Sequence, residues 1–179
     1  VVAWLWIGMT ALISTGCASF DPKSEDPVEA LSRAPDDLVD WTAKGKASFT
    51  YQGVTEAARF YWARSTLQDD AITLSGPFSM NRQTIERRDD QLIWRDGDQI
   101  RPLSDVAPDS PALTALTAIP PDALGRWLLG AQSDSLEWEV DASEWQAAPP
   151  WQAPSRVIIR GSGIEIKVII SRWEFSPAP

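Results

Sequence analysis

From residue 44 the chain alternates apolar and polar side chains with the period of an extended strand. In KGKASFTY, Gly45, Ala47, Phe49 and Tyr51 fall on one face, and Lys44, Lys46, Ser48 and Thr50 on the other. Gln52-Gly53 supplies a turn, after which VTEAARFYWARS sets Ala58, Phe60 and Trp62 against Arg59 and Tyr61. DAITLS brings Ile72 and Leu74 together; RQTIERR and QLIWRDGDQI follow, joined by Asp89-Asp90, with a hairpin turn at Asp96-Gly97. The period then becomes helical. DSPALTALTA has Asp109 or Ser110 as N-cap and Pro111 in its first turn, and IPPDALGRWLLG starts at a Pro pair and stops at Gly130. Leu124, Trp127 and Leu128 give that second helix a narrow apolar face. Strands resume in LEWEV, where Leu136, Trp138 and Val140 share a face, then in RVIIRG and GIEIKVIISRWEF.

Half-polar strands of this kind belong to antiparallel sheets, since buried parallel strands read as continuous apolar runs. The pattern predicts a mainly β, α+β fold of about eight to eleven strands, with short helices inserted between two halves of a curved sheet that wraps a space. Upstream, PVEALSRAPDDLVDW predicts two short helical turns or one helix broken at Pro35. Residues 18–27 are polar and Pro-containing and read as a tether.

The first sixteen residues carry no charge, a run too short to span a membrane as a helix and suited to the core of a secretory signal. They end in Ser14-Thr15-Gly16-Cys17, and Cys17 is the one cysteine of the chain. Small residues before a lone Cys resemble the lipobox of bacterial lipoproteins, in which the Cys is diacylated and becomes the mature N-terminus. The position three before the Cys, usually Leu, is Ser14 here. With Ala18 and Ser19 after Cys17 and no neighbouring Asp, that resemblance implies sorting to the outer membrane. The expected organisation is a signal at 1–16, a lipidated Cys and tether at 17–27, and one domain at 28–179.

Composition narrows the chemistry. The formal net charge of −9 disfavours nucleic acid. No His is present, which removes Ser-His and Cys-His nucleophilic sites and His-ligated metal sites. The carboxylate pairs Asp36-Asp37, Asp69-Asp70 and Asp89-Asp90 read as solvated turns, and Lys44 with Lys46 reads as a wet sheet edge, a weak contact with anionic lipid being the alternative. No phosphate loop, metal-ligand cluster or nucleophile elbow is evident, so neither an enzyme nor a cofactor is expected. Ten Trp, eight of them beyond the N-terminal segment, suit ordinary core packing or the lining of a wide apolar space.

Taken in order, the lipobox Cys, GKASFTY, ARFYW, a strand running into GPFS, and IPPDALGRWLLG resemble the LolB family of outer-membrane lipoprotein receptors, from about residue 28 to 174. Ile119, Pro120, Leu124, Trp127, Leu129 and Gly130 carry the most specific part. The resemblance implies an incompletely closed antiparallel β-barrel, helices over one opening, and an aromatic-rich cavity for acyl chains. Phe49, Phe60, Trp62, Trp94, Leu124, Trp127, Leu128 and Trp138 are the candidate wall. It also implies a monomer facing the periplasm of a Gram-negative bacterium, with a soluble LolA-like carrier, acylated lipoprotein cargo and outer-membrane lipid as partners. In SGPFSM, Pro77, Phe78 and Met80 match an apolar loop that engages the membrane, with Phe78 and Ser79 where relatives carry Leu and Gly; Phe78 is expected to be exposed. Rival readings are a module for another amphiphile, such as lipopolysaccharide or a cell-wall lipid intermediate, and a structural envelope lipoprotein without a cavity.

Overall fold

Nine antiparallel strands make one sheet in a computed structural model that describes residues 31–76, 82–88, 91–106, 110–120 and 122–176. Cys17, Pro77, Phe78 and Met80 lie outside the described residues, as do the signal and tether. The strands are β1 (Trp41–Tyr51), β2 (Val54–Arg64), β3 (Asp69–Ser75), β4 (Gln83–Arg88), β5 (Gln91–Asp96), β6 (Gln99–Pro102), β7 (Trp138–Ala148), β8 (Trp151–Gly161) and β9 (Ile164–Phe175). Their spatial order is β6-β5-β4-β3-β2-β1-β9-β8-β7. Every neighbour is joined by a local connection except β1 and β9, which pair from opposite ends of the chain and zip the two halves together. Free edges remain at β6 and β7, so the sheet is not closed.

Turn chemistry fixes the register. Gln52 and Gly53 adopt φ of 49° and 80°, and Ser162 and Gly163 adopt 48° and 74°. Two successive left-handed residues are what a two-residue hairpin needs to follow strand twist, and Gly accepts them without steric cost. With register set, period-two alternation sends Trp41, Ala43, Ala47 and Phe49 of β1 and Ile164, Ile166, Val168 and Ile170 of β9 to one buried face.

The chain between the free edges carries α1 (Pro111–Ala118) and α2 (Ala123–Leu128). Ser110 caps α1 by accepting from the Leu113 N–H, with Pro111 in the first turn. At the end of α2 the Gly130 N–H donates to the Trp127 carbonyl and the Ala131 N–H to that of Arg126, with Gly130 at φ 101°. This is a Schellman stop, and its left-handed position explains the glycine. Helix α1 packs on β1 and β2, helix α2 on β7 and β8. Ala43, Gly45 and Ala47 keep the inner face of β1 shallow, and Ala112 and Ala115 of α1 are fully buried. Small residues on both elements let the helix lie close to the sheet.

Three expectations are corrected. Residues 31–40 form no helix: the Ala34 N–H donates to the Gln152 carbonyl and the Gln152 N–H to Ser32, so this segment's backbone is spent on a parallel bridge beside β8. Leu136 is not in a strand; it is fully exposed in a turn before β7. Lys44 and Lys46 lie on the outer face of β1, which is central in the sheet, and not at an edge.

Candidate functional site

Where the two helices meet the sheet, a cavity of about 30 Å³ remains, lined only by apolar residues. Strands β1 to β3 contribute Ala47, Phe49, Phe60, Trp62, Ile72 and Leu74, β9 contributes Ile166 and Val168, and the helices contribute Leu116, Leu124 and Leu128. Each strand residue occupies an inward position of its alternation, which is why four separate strands converge there. Phe60 sits across from Gly45, and a Cβ at 45 would come within 2.8 Å of its ring. The glycine makes room first for the β9 backbone, since a Cβ there would collide with the Ile169 carbonyl oxygen, and then for the aromatic ring.

Of the eight wall candidates, the structure brings together Phe49, Phe60, Trp62, Leu124 and Leu128 around this cavity. The other three pack elsewhere in the core. Trp127 lies against Trp138, with ring centroids 5.7 Å apart, where α2 meets β7. Trp94 donates its indole N–H to Gln83 and has Arg101 over its ring at 5.1 Å. A further aromatic run, Trp62–Trp41–Trp173–Phe175, extends from the cavity along the sheet, with centroid spacings of 5.6, 5.2 and 5.5 Å.

The helices are held over the cavity by polar contacts at their ends. Glu56 of β2 accepts from the Ser110 hydroxyl at 2.6 Å and from the Ala112 N–H at 3.3 Å, placing a carboxylate at the N-terminus of α1. On α2, Arg126 pairs with Asp36 at 3.1 Å. These pairs are partly solvated and individually weak.

Beside α2 lies a buried ionic cluster that the sequence reading missed. Asp70 of the Asp69-Asp70 pair is not in a solvated turn but is 9% exposed and accepts from Arg87 Nη2 at 2.9 Å and Nε at 3.3 Å. Arg87 Nη2 also donates to the Leu67 carbonyl. Arg64, 2% exposed, donates weakly to the carbonyls of Thr66 and Leu67. Burial pushes the Asp70 carboxyl above its usual range, against the pull of Arg87, and pushes the Arg64 guanidinium below its own. The guanidinium of Arg64 lies so close to Gly125 of α2 that any Cβ there would collide with it. Strand parity could have revealed the cluster: Arg64 continues the inward series Phe60, Trp62; Asp70 precedes Ile72, Leu74; Arg87 follows Ile85.

The chain is similar to known proteins. The family model described as outer membrane lipoprotein LolB matches residues 39–137, more than half the chain, from the start of β1 to the approach to β7. An outer-membrane lipoprotein LolB of Halorhodospira halophila is 25% identical, with 94% of this chain and 93% of that protein aligned. One from Shewanella sediminis is 22% identical, covering 95% and 85%. Among solved structures, a LolA superfamily protein of Nitrosomonas europaea superposes with a TM-score of 0.52 over 82% of this chain and 90% of that one, at 12% identity. That last likeness concerns the fold, an open sheet around helices. With a matching model across β1 to β6 and both helices, which supply all of the cavity lining except Ile166 and Val168, the chain belongs to the outer membrane lipoprotein LolB family.

Proposed function

We propose that the protein is an outer-membrane receptor, anchored through acyl chains on Cys17, that accepts acylated lipoproteins from a soluble LolA-like carrier in the periplasm and inserts them into the membrane. The carrying observation is the wholly apolar cavity closed by two short helices on the buried face of an open sheet. Its role is binding and transfer, not catalysis. The signal at 1–16, the tether at 17–27 and the domain from 28 onward serve that arrangement: cleavage frees Cys17, and two or more acyl chains hold firmly where one is marginal.

A volume near 30 Å³ is about the share of one water molecule in the liquid. Cargo chains therefore enter only when α1 and α2 move off the sheet, a change opposed by Glu56 at one helix and by Asp36 at the other. The chains compensate by burial, worth about 0.8 kcal/mol per methylene. Transfer from carrier to receptor to bilayer needs only descending free energy, each 1.4 kcal/mol of preference shifting the balance about tenfold. Burial, unlike hydrogen bonding, tolerates chains of varied length. An antiparallel open sheet with helices, shared with a LolA superfamily protein, suits a hand-over between similar cavities.

Depletion of the protein in cells should leave lipoproteins stranded on the soluble carrier. Normal delivery in the absence of any other receptor would refute the reading, and a co-purifying lipid other than acylated protein would favour a module for another amphiphile. Release is assigned to the segment Pro77, Phe78 and Met80, which joins β3 to β4. Phe78→Glu is expected to change stability by no more than about 0.5 kcal/mol, as surface substitutions do. It should spoil insertion into liposomes while sparing uptake from the carrier. Equal loss of both steps would remove the loop from release.

A further inference from the structure

Three tryptophans buried in this core hand their indole N–H to a neighbour. Trp41 donates to the Leu38 carbonyl at 2.9 Å, Trp94 to Gln83 at 3.1 Å and Trp173 to the Pro154 carbonyl at 2.7 Å. Trp62, 5% exposed, donates to nothing among the described residues, although it lines the apolar cavity. Two positions on, on the same inward face of β2, Arg64 Nη1 is likewise buried without a partner. A buried donor left unmade carries the full desolvation penalty of the group, and native proteins keep few of them. Two such side chains, next to each other on the inward face of one strand and beside the helix that must move for a ligand to enter, are a site awaiting an acceptor.

We infer that Trp62 Nε1 and Arg64 Nη1 receive the ester carbonyl oxygens at the polar end of a diacyl ligand, so that the cavity fixes the depth of the acyl chains as well as burying them. The inference rests on the proposed acyl-receiving function and adds to it a recognition of the linkage. Both groups are donors, matching a carbonyl and not a hydroxyl hydrogen or an ammonium. Arg64 Nη1 lies against Gly125 of α2, so displacement of that helix exposes this donor as the cavity opens.

The test compares two synthetic lipopeptides of equal chain length, one carrying ester-linked diacylglyceryl-cysteine and the other its dialkyl ether analogue, which lacks the carbonyls. Binding is measured by calorimetry to the full chain carrying Cys17→Ser, which removes competing native lipid. The ester is expected to bind about tenfold tighter, the discrimination one or two hydrogen bonds supply. Trp62→Phe should bring that ratio towards one; lost ring volume affects both ligands and cancels in the ratio. Equal wild-type affinity for the two would overturn the donor site while leaving the acyl cavity standing, and so would a ratio undisturbed by Trp62→Phe. Failure of both ligands to bind would overturn the acyl-receiving reading itself, and the donor site with it.

Discussion

Replacing Arg87 with Met should lower the free energy of unfolding by about 3 kcal/mol, at the lower end of the cost of breaking a buried ion pair. The loss comes less from the missing attraction than from what is left behind. Asp70 would keep its carboxylate in a site 9% exposed with both Arg87 hydrogen bonds gone. Arg64 still lends a favourable charge, which moderates the effect. The pair as a whole is not expected to stabilise: Asp70→Leu together with Arg87→Met should recover most of the loss, because apolar groups can replace a buried pair at little cost. Urea unfolding checks both, with a fall in midpoint at constant slope for the single variant. A double variant as unstable as Arg87→Met would assign the loss to packing and not to charge.

The same carboxyl gives a pH signature of definite sign. Its folded pKa is raised above the ordinary 3.8 by burial. The folded chain therefore binds that proton more tightly than the unfolded chain does. This group's contribution to stability falls as pH rises from 3.8 through the folded value, and Asp70→Asn should flatten that limb of the stability profile.

Phe60→Ala should have opposite effects on stability and on ligand response. Phe60 is 7% exposed and stands between the sheet and the helices. Its truncation removes buried apolar surface and enlarges a cavity that cannot fully collapse, at a cost of about 3–5 kcal/mol. The new space is apolar, and such space stays dry and takes apolar ligands. Thermal unfolding of this variant should therefore occur well below wild type without ligand. A fatty-acid analogue should raise it by more than it raises wild type, since a ligand bound only by the folded state stabilises in proportion to its affinity. Destabilisation with an unchanged or smaller ligand response would mean that acyl chains go elsewhere.

Much of this was written in the strand alternation. Hairpins at Gln52-Gly53 and Asp96-Gly97, the Ser110 cap and the Gly130 stop all follow from local chemistry, and local chemistry is legible in sequence. The conformation of residues 31–40 was not, because a helix-compatible spacing lost to a backbone bridge with Gln152, more than a hundred residues away. The early half of β8 was hidden by Pro154, which is tolerated because β8 pairs with β9 only from Arg156 onward. At the site, inward parity found Phe49, Phe60 and Trp62 and also pointed to Arg64, Asp70 and Arg87. Asp70 reads there as turn chemistry and the two arginines carry no assignment, since only the fold reveals that the three meet. Which tryptophans reach the cavity depends on how the helices seat, and helix seating has no local signature.

The most direct test of acyl entry uses neighbouring residues of β9 that face opposite ways. Val168 lines the cavity and is 6% exposed, whereas Lys167 points outward and pairs with Glu165 at 2.8 Å. A small diazirine amino acid placed at 168 or at 167 in the full chain is illuminated in the presence of a diacylated lipopeptide. Covalent labelling of the acyl chain from 168 with little from 167 is the expected result. Equal labelling at the two positions, or labelling from 167 alone, would mean that the chains lie on the outside of the sheet and that the cavity is ordinary core.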